Sequence, residues 1–183
     1  SRQTNKPDKY IVSECVKVLR DELPYNLHIF VNSVEFIAKV IDTLKLAPEA
    51  VKVVCSTSGE SRQENQRKLG NAYPIGQPSD PAKKVNFYTS TCFEGCDIFD
   101  PDGVTFIVSD GRKAHTLLDI STLFTQICGR IRDSRYKAQI VHVYSTTKYS
   151  KAVTLDEFVA ATQRTLADAE SYAAEINSLS EAT

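Results

Sequence analysis

Glycine is scarce in this sequence, seven in 183 residues, and none of the seven begins the G-x-x-x-x-G-K-[ST] run that cradles a triphosphate. No Asp-Glu pair follows a strand-like run either, so carboxylates for magnesium and for activating a water are missing. Cysteine is limited to five residues, Cys15, Cys55, Cys92, Cys96 and Cys128, with no C-x-x-C pair among them. An odd, scattered set argues against a zinc ribbon and a closed disulfide framework, and reads as free thiols in a reducing cell. Cys92 and Cys96 could face one metal with His115, but small residues beside a strand end explain them as well, and no metal site is expected.

Methionine is absent altogether. With the opening Ser1-Arg2-Gln3, that absence leads us to expect a piece of a longer protein. No run approaches the roughly 18 to 20 continuous apolar residues of a membrane span, and the polar start is unlike a signal peptide. A soluble, cytoplasmic protein with no membrane contact is expected. Charge of one sign is lacking too. Lys and Arg total 22 against 23 Asp and Glu, a net charge of -1. Attraction to nucleic acid therefore has to come from a local patch or a partner domain.

What is present is a globular composition, 42% hydrophobic and 25% charged, in short apolar runs alternating with helical periodicity. Pro7 opens an amphipathic helix carrying Tyr10, Ile11, Cys15, Val18 and Leu19 to about Glu22. Leu27–Val31 is a buried strand, and Ser33 caps a helix with a stripe of Phe36, Ile37, Val40, Ile41 and Leu44. A strand at Val51–Cys55, a polar helix closed by Gly70 and a Pro- and Gly-rich loop over Asn71–Lys84 follow. Val85–Tyr88 and Val104–Val108 are further strands, Leu117–Ile131 a helix, and Ala138–Tyr144 a last strand. The alternation predicts an α/β domain over residues 1–150, with a mainly parallel sheet and helices on both faces. Ligands in such sheets gather beyond the carboxyl ends of the strands. Residues 151–183 form a second segment, where Leu155, Phe158, Val159, Leu166, Ala169, Ala173 and Ile176 share one face of a long helix. That helix is expected to pack on the domain or on a neighbour.

The stretches that carry chemistry are Thr89-Ser-Thr-Cys-Phe-Glu-Gly-Cys-Asp97 and Gln126-Ile-Cys-Gly-Arg-Ile-Arg132. Hydroxyls and backbone amides after a strand can hold phosphate oxygens, and a nearby carboxylate can orient a ribose or an arginine. An ordinary capped turn reads the same way. Paired arginines after a glycine suit a polyphosphate, although a solvated basic helix end is the plain alternative.

In this order the stretches resemble motifs V and VI of superfamily 2 helicases. Thr89, five residues, then Gly95-x-Asp97 matches motif V, and Gln126-x-x-Gly129-Arg130 matches motif VI. Ile29–Ser33 resembles motif IV, and Val51–Leu69 the strand, hydroxyl turn and helix after it. The resemblance spans about residues 25 to 145. One departure stands out: the family places its last arginine three residues after the first, whereas Arg132 follows Arg130 by two and Asp133 comes next, with Arg135 further on. The Gly-Arg-x-Arg form, with Phe99-Asp100 ahead of Ser109-Asp-Gly-Arg-Lys113, is similar to herpesvirus origin-binding-protein helicases.

The resemblance implies the C-terminal RecA-like lobe of an ATP-dependent helicase or translocase, the hydrolase of a process such as DNA replication. Arg130 and Arg132 jointly take the arginine-finger role. Gly95, Asp97, Gln126 and Gly129 line the nucleotide side, and Thr89, Ser90, Ser33 and Ser56 touch the phosphates of the strand. The implied cofactor is ATP with magnesium, held mainly by an N-terminal RecA-like lobe, so this lobe alone is expected to be inactive as an ATPase. The other partner is single-stranded or duplex nucleic acid, with DNA favoured. Two alternatives remain at this point: a non-catalytic, helicase-like interaction module, and an unrelated doubly wound nucleotide-binding protein. The second should have glycine after its first strand, where this chain has Asn32-Ser33.

Overall fold

The computed structural model describes residues 1–118, 120–146, 154–157, 159–160, 163–164 and 167. The chain divides into two compact units, Ser1–Thr147 and Lys148–Thr183.

In the first unit, short apolar runs become β1 (Arg2–Gln3), β2 (Asn26–Phe30), β3 (Val51–Val54), β4 (Val85–Tyr88), β5 (Gly103–Asp110) and β6 (Ile140–Ser145). They form one six-stranded sheet in the order β1-β6-β5-β2-β4-β3, with every pair parallel. Parallel strands require crossovers, which places helices on the faces and buries both sides of the strands. Helices α1 (Pro7–Leu19), α2 (Val34–Leu44) and α3 (Gly59–Leu69) supply the first crossovers. The expected α/β architecture with a parallel sheet is what forms.

Strand alternation assigns the two faces. Leu27, Ile29, Val53, Phe87, Val104 and Phe106 join Ile11, Cys15, Ile37 and Val40 of α1 and α2 in one core. Phe30, Val54, Tyr88 and Ile107 join Ile127 and Ile131 in a second core on the opposite face. A polar row also crosses that second face. Register aligns Lys52 with Asn86, Asn86 with His28, and His28 with Thr105, and each is 5% exposed or less.

Several boundaries differ from the sequence expectation. Helix α1 ends at Leu19 rather than near Glu22, because Asp21 adopts φ 56°, which the helix cannot continue through. Strand β5 runs on to Asp110, beyond its expected end at Val108, since that end is paired with Ser145 of β6. The expected helix Leu117–Ile131 is reduced to a π-type turn at Ile120–Phe124 and α4 at Thr125–Cys128, after a 3₁₀ turn at Ala114–Thr116. It stops before Gly129 because the backbone of Arg130 and Arg132 pairs with Ile98 instead. The strand pairing of Arg2–Gln3 has no counterpart in the sequence reading.

In the second unit, Thr154 and Glu157 make a reciprocal cap. The Thr154 N–H donates to Glu157 Oε2 at 2.8 Å and the Glu157 N–H to Thr154 Oγ1 at 3.3 Å. Leu155 and Val159 of the expected apolar face are helical, while Phe158, Leu166, Ala169, Ala173 and Ile176 lie outside the described residues. Among the described residues no helix is long and apolar enough to cross a membrane.

Candidate functional site

Because every strand is parallel, all carboxyl ends open onto one edge. In the sheet order β2-β4-β3, that edge carries Ser33, then Thr89 and Ser90, then Ser56, so the hydroxyl residues stand on three adjacent strands. Neighbouring strands lie about 4.8 Å apart, which gives a row on the order of 10 Å long. The hydroxyls differ in availability. Ser33 is buried and accepts the Phe36 N–H at 3.2 Å as the cap of α2. Thr89 is buried with Oγ1 3.4 Å from Thr91 Oγ1, and Ser56 Oγ lies 3.0 Å from Ser58 Oγ. Ser90 is exposed.

Sequence reasoning missed Asn32, whose Nδ2 donates to the His115 carbonyl at 2.9 Å and whose Oδ1 accepts the Ser90 N–H at 3.4 Å. It ties the turns after β2, β4 and β5 together. Its only signal in the sequence was its place directly after a strand.

The basic residues near the strand ends are already engaged, Arg112 and Lys113 at this edge and Lys83 and Lys84 at the amino ends of β3 and β4. Arg112 donates to Asp110 through Nε at 3.0 Å and Nη2 at 3.1 Å, and Lys113 lies 3.7 Å from Glu35. Hydrogen bonding from Arg112 is the largest influence on Asp110 and holds its carboxyl down at about 2. Lys83 Nζ donates to the carbonyls of Pro48 and Val51, and Lys84 pairs with Asp21.

Beyond Ser90 the chain turns back across the second face of the sheet. Gly95 makes that turn with φ +72°, a region that a side chain disfavours. The following residues are extended and alternate: Ile98 and Asp100 are buried while Phe99 is 67% exposed. Here the two motif-like stretches meet in a parallel bridge. The Ile98 N–H donates to the Arg130 carbonyl at 2.9 Å, and the Arg132 N–H donates to the Ile98 carbonyl at 3.0 Å.

The bridge separates the two arginines. Arg130 is 8% exposed, and its guanidinium donates to Gln126 O at 2.9 Å, Gln126 Oε1 at 2.8 Å and Cys96 O at 2.9 Å. Every one of those acceptors is internal, so Arg130 ties α4 to the Gly95 turn. The Arg132 side chain is 50% exposed and donates through Nε to Asp97 Oδ1 at 2.7 Å. Gly129 directly precedes Arg130 with φ -95°, and a Cβ there would meet only Gln126 O at 3.7 Å and an Arg132 nitrogen at 3.9 Å. A side chain would therefore fit at Gly129.

Beneath the bridge sits a buried chain that the sequence left unassigned. His28 Nε2 lies 2.7 Å from Asp100 Oδ2 and Nδ1 lies 3.0 Å from the Tyr88 hydroxyl. An ionised carboxylate can only accept, so the proton belongs on Nε2 and Nδ1 accepts from Tyr88. Burial is the dominant influence on His28 and pulls its pKa below 6.5 against the opposing hydrogen bond from Asp100. For Asp100 burial pushes upward, but hydrogen bonds from His28 and Asn26 outweigh it and keep the pKa below its ordinary value. Gly103 allows this packing, because a Cβ there would lie 2.9 Å from the His28 ring and 3.2 Å from Ile131 Cδ1.

The Cys92 thiol is pushed up to about 12, mainly by burial, so no reactive thiolate forms there. Among the described residues no three His, Cys, Asp or Glu side chains gather as a cation site. No family model, curated protein or solved structure matches the chain.

Proposed function

We propose that this chain is the C-terminal RecA-like lobe of an ATP-dependent nucleic-acid helicase or translocase, working against an N-terminal lobe that holds ATP and magnesium. One observation carries the reading: the bridge at Ile98 and Ile131 brings the motif V-like and motif VI-like stretches side by side, with Arg132 half exposed against Asp97. The two residues stand 35 positions apart in sequence.

On this reading Arg132 is the finger and Arg130 its support. A half-exposed ion pair is worth at most about 1 kcal/mol, so a γ-phosphate entering from the opposite lobe can take Arg132 from Asp97 at small cost. The guanidinium then meets charge developing on the transferred phosphoryl group, a role worth about 10³ to 10⁵ in rate in related nucleotidases. Ser90, Ser56 and nearby backbone amides grip strand phosphates. Such contacts carry no sequence information, which suits movement along any sequence. ATP binding and release would alternate the two lobes' grips.

The test joins this chain to its upstream lobe and measures DNA-stimulated ATP hydrolysis for the parent and for Arg132→Ala. Turnover should fall by about 10³; unchanged turnover sinks the reading. A second reading, a helicase-like interaction module without catalysis, draws on the observation that both motif arginines have internal partners. It requires the parent itself to show no stimulated hydrolysis.

A further inference from the structure

The second face of the sheet holds a buried carboxylate that the proposed chemistry leaves unused. Asp100 is 4% exposed, and its oxygens accept from His28 Nε2 at 2.7 Å, Asn26 Nδ2 at 3.0 Å and the Asp102 N–H at 3.0 Å. Its own N–H donates to Asp133 Oδ1 at 2.8 Å. Asn26 and His28 belong to β2, a central strand with neighbours on both sides. Asp133 directly follows Arg132, and Asp97 lies three positions before Asp100. One residue thus touches the rigid strand, the segment that carries Asp97 and the turn that carries Arg132.

We infer that Asp100 is a positioning residue that fixes the register of these two segments and so sets Arg132 against Asp97. The short bridge alone is a weak determinant, since two extended segments meeting at one residue pair can slip. A slip of one position would put Ile131 or Asp133 where Arg132 now stands, replacing its attraction for Asp97 by apolar contact or repulsion. The Asp100–Asp133 bond lies beyond the Ile98–Ile131 pair and forbids the slip. Further bonds continue the same lacing, with the Arg135 N–H on the Pro101 carbonyl at 3.0 Å and Ser134 Oγ on the Gly103 carbonyl at 2.6 Å. Asp100 alone among these residues is also bonded to the β2 side chains Asn26 and His28.

The catalytic meaning of this latch rests on the function proposed above, but the latch is measurable without nucleotide, so the two ideas fail separately. The probe is hydrogen exchange of the Arg132 Nε–H in the isotope-labelled chain, assigned by its disappearance in Arg132→Lys. Asp133→Ala removes the acceptor for the Asp100 N–H at an exposed position. It should speed that exchange about fivefold, the equivalent of one hydrogen bond's net contribution. Asp133→Asn keeps an acceptor oxygen and should restore the slow rate. Asp100→Asn, which sets an NH₂ against donors, should act like Asp133→Ala; if that variant does not fold, the Asp133 pair decides. Amides of Leu27 and Ile29 in β2 should stay protected throughout the Asp133 series. Exchange at Arg132 that is unchanged in Asp133→Ala, or that rises only together with those β2 amides, overturns the inference.

Discussion

Arg132 Nε reaches Asp97 Oδ1 at 2.7 Å across 35 positions of sequence, while Arg130, two residues earlier, turns inward to Gln126 and Cys96. One extended bridge gives the two arginines opposite environments, and that opposition makes their substitutions separable. Arg130→Ala would leave buried acceptors on Gln126 and Cys96 and should cost about 2 kcal/mol, read from the urea midpoint. Arg132→Ala should change stability by less than about 0.5 kcal/mol. Equal midpoints for the two variants would contradict the division of labour.

The glycines separate in the same way. Gly95→Ala forces a side chain to φ +72° and should destabilise by about 1 kcal/mol. Gly129→Ala meets only ordinary contacts and should leave the thermal midpoint within about 2 °C. A larger loss at Gly129 than at Gly95 would mean that the local backbone has been misread.

Gly103→Ala drives a Cβ to 2.9 Å from the buried His28 ring. The ring is fully buried and held at both nitrogens by Tyr88 and Asp100, so the expected penalty is about 1 to 3 kcal/mol. Calorimetry showing the parent midpoint in this variant would remove Gly103 from the packing of the His28–Asp100 pair.

Stability should also follow pH with a defined sign. The folded His28 pKa is depressed below 6.5, so above that value His28 costs nothing, and as pH falls below it the unfolded chain gains a proton that the fold resists. Asp110 behaves likewise lower on the scale. Its folded value of about 2 lies under the ordinary 3.8, so its contribution is complete above 3.8 and fades as pH falls toward 2. Because Arg112 is well exposed, that contribution is on the order of 1 kcal/mol. Urea midpoints should therefore decline from neutrality downward, and the decline just below pH 6.5 should shrink in His28→Gln. A flat profile through both windows would count against these assignments.

Much of the fold was legible in the sequence because its signals are local. Apolar runs such as Leu27–Val31 and Val85–Tyr88 could only be strands buried on both faces, and Ser33 announced a cap that forms. The segments that failed to follow local pattern are those where tertiary pairing wins. Gly129–Arg132 has helical company but gives its backbone to Ile98, and Arg2–Gln3 becomes a strand only because β6 offers an edge. Motif spacing singled out Asp97 and Arg132 as candidates but could not distinguish Arg130 from Arg132, since burial, not spacing, separates them. Asn32, Asp100 and Asp133 gave no warning, because an Asn or Asp after a strand or in a turn is what any loop contains.

The sheet order has a consequence for how the molecule is made. Residues 2 and 3 pair with residues 143 and 144, so a strand synthesised early must wait for one synthesised more than a hundred residues later. Until β6 is made, β5 has no neighbour on that side, and a newly made chain would carry an open, hydrogen-bond-hungry edge as it leaves the ribosome. The two-residue β1 is thus the clasp that closes the sheet. Deleting residues 1–3 should leave the core intact while exposing the outer edge of β6 and favouring self-association through it.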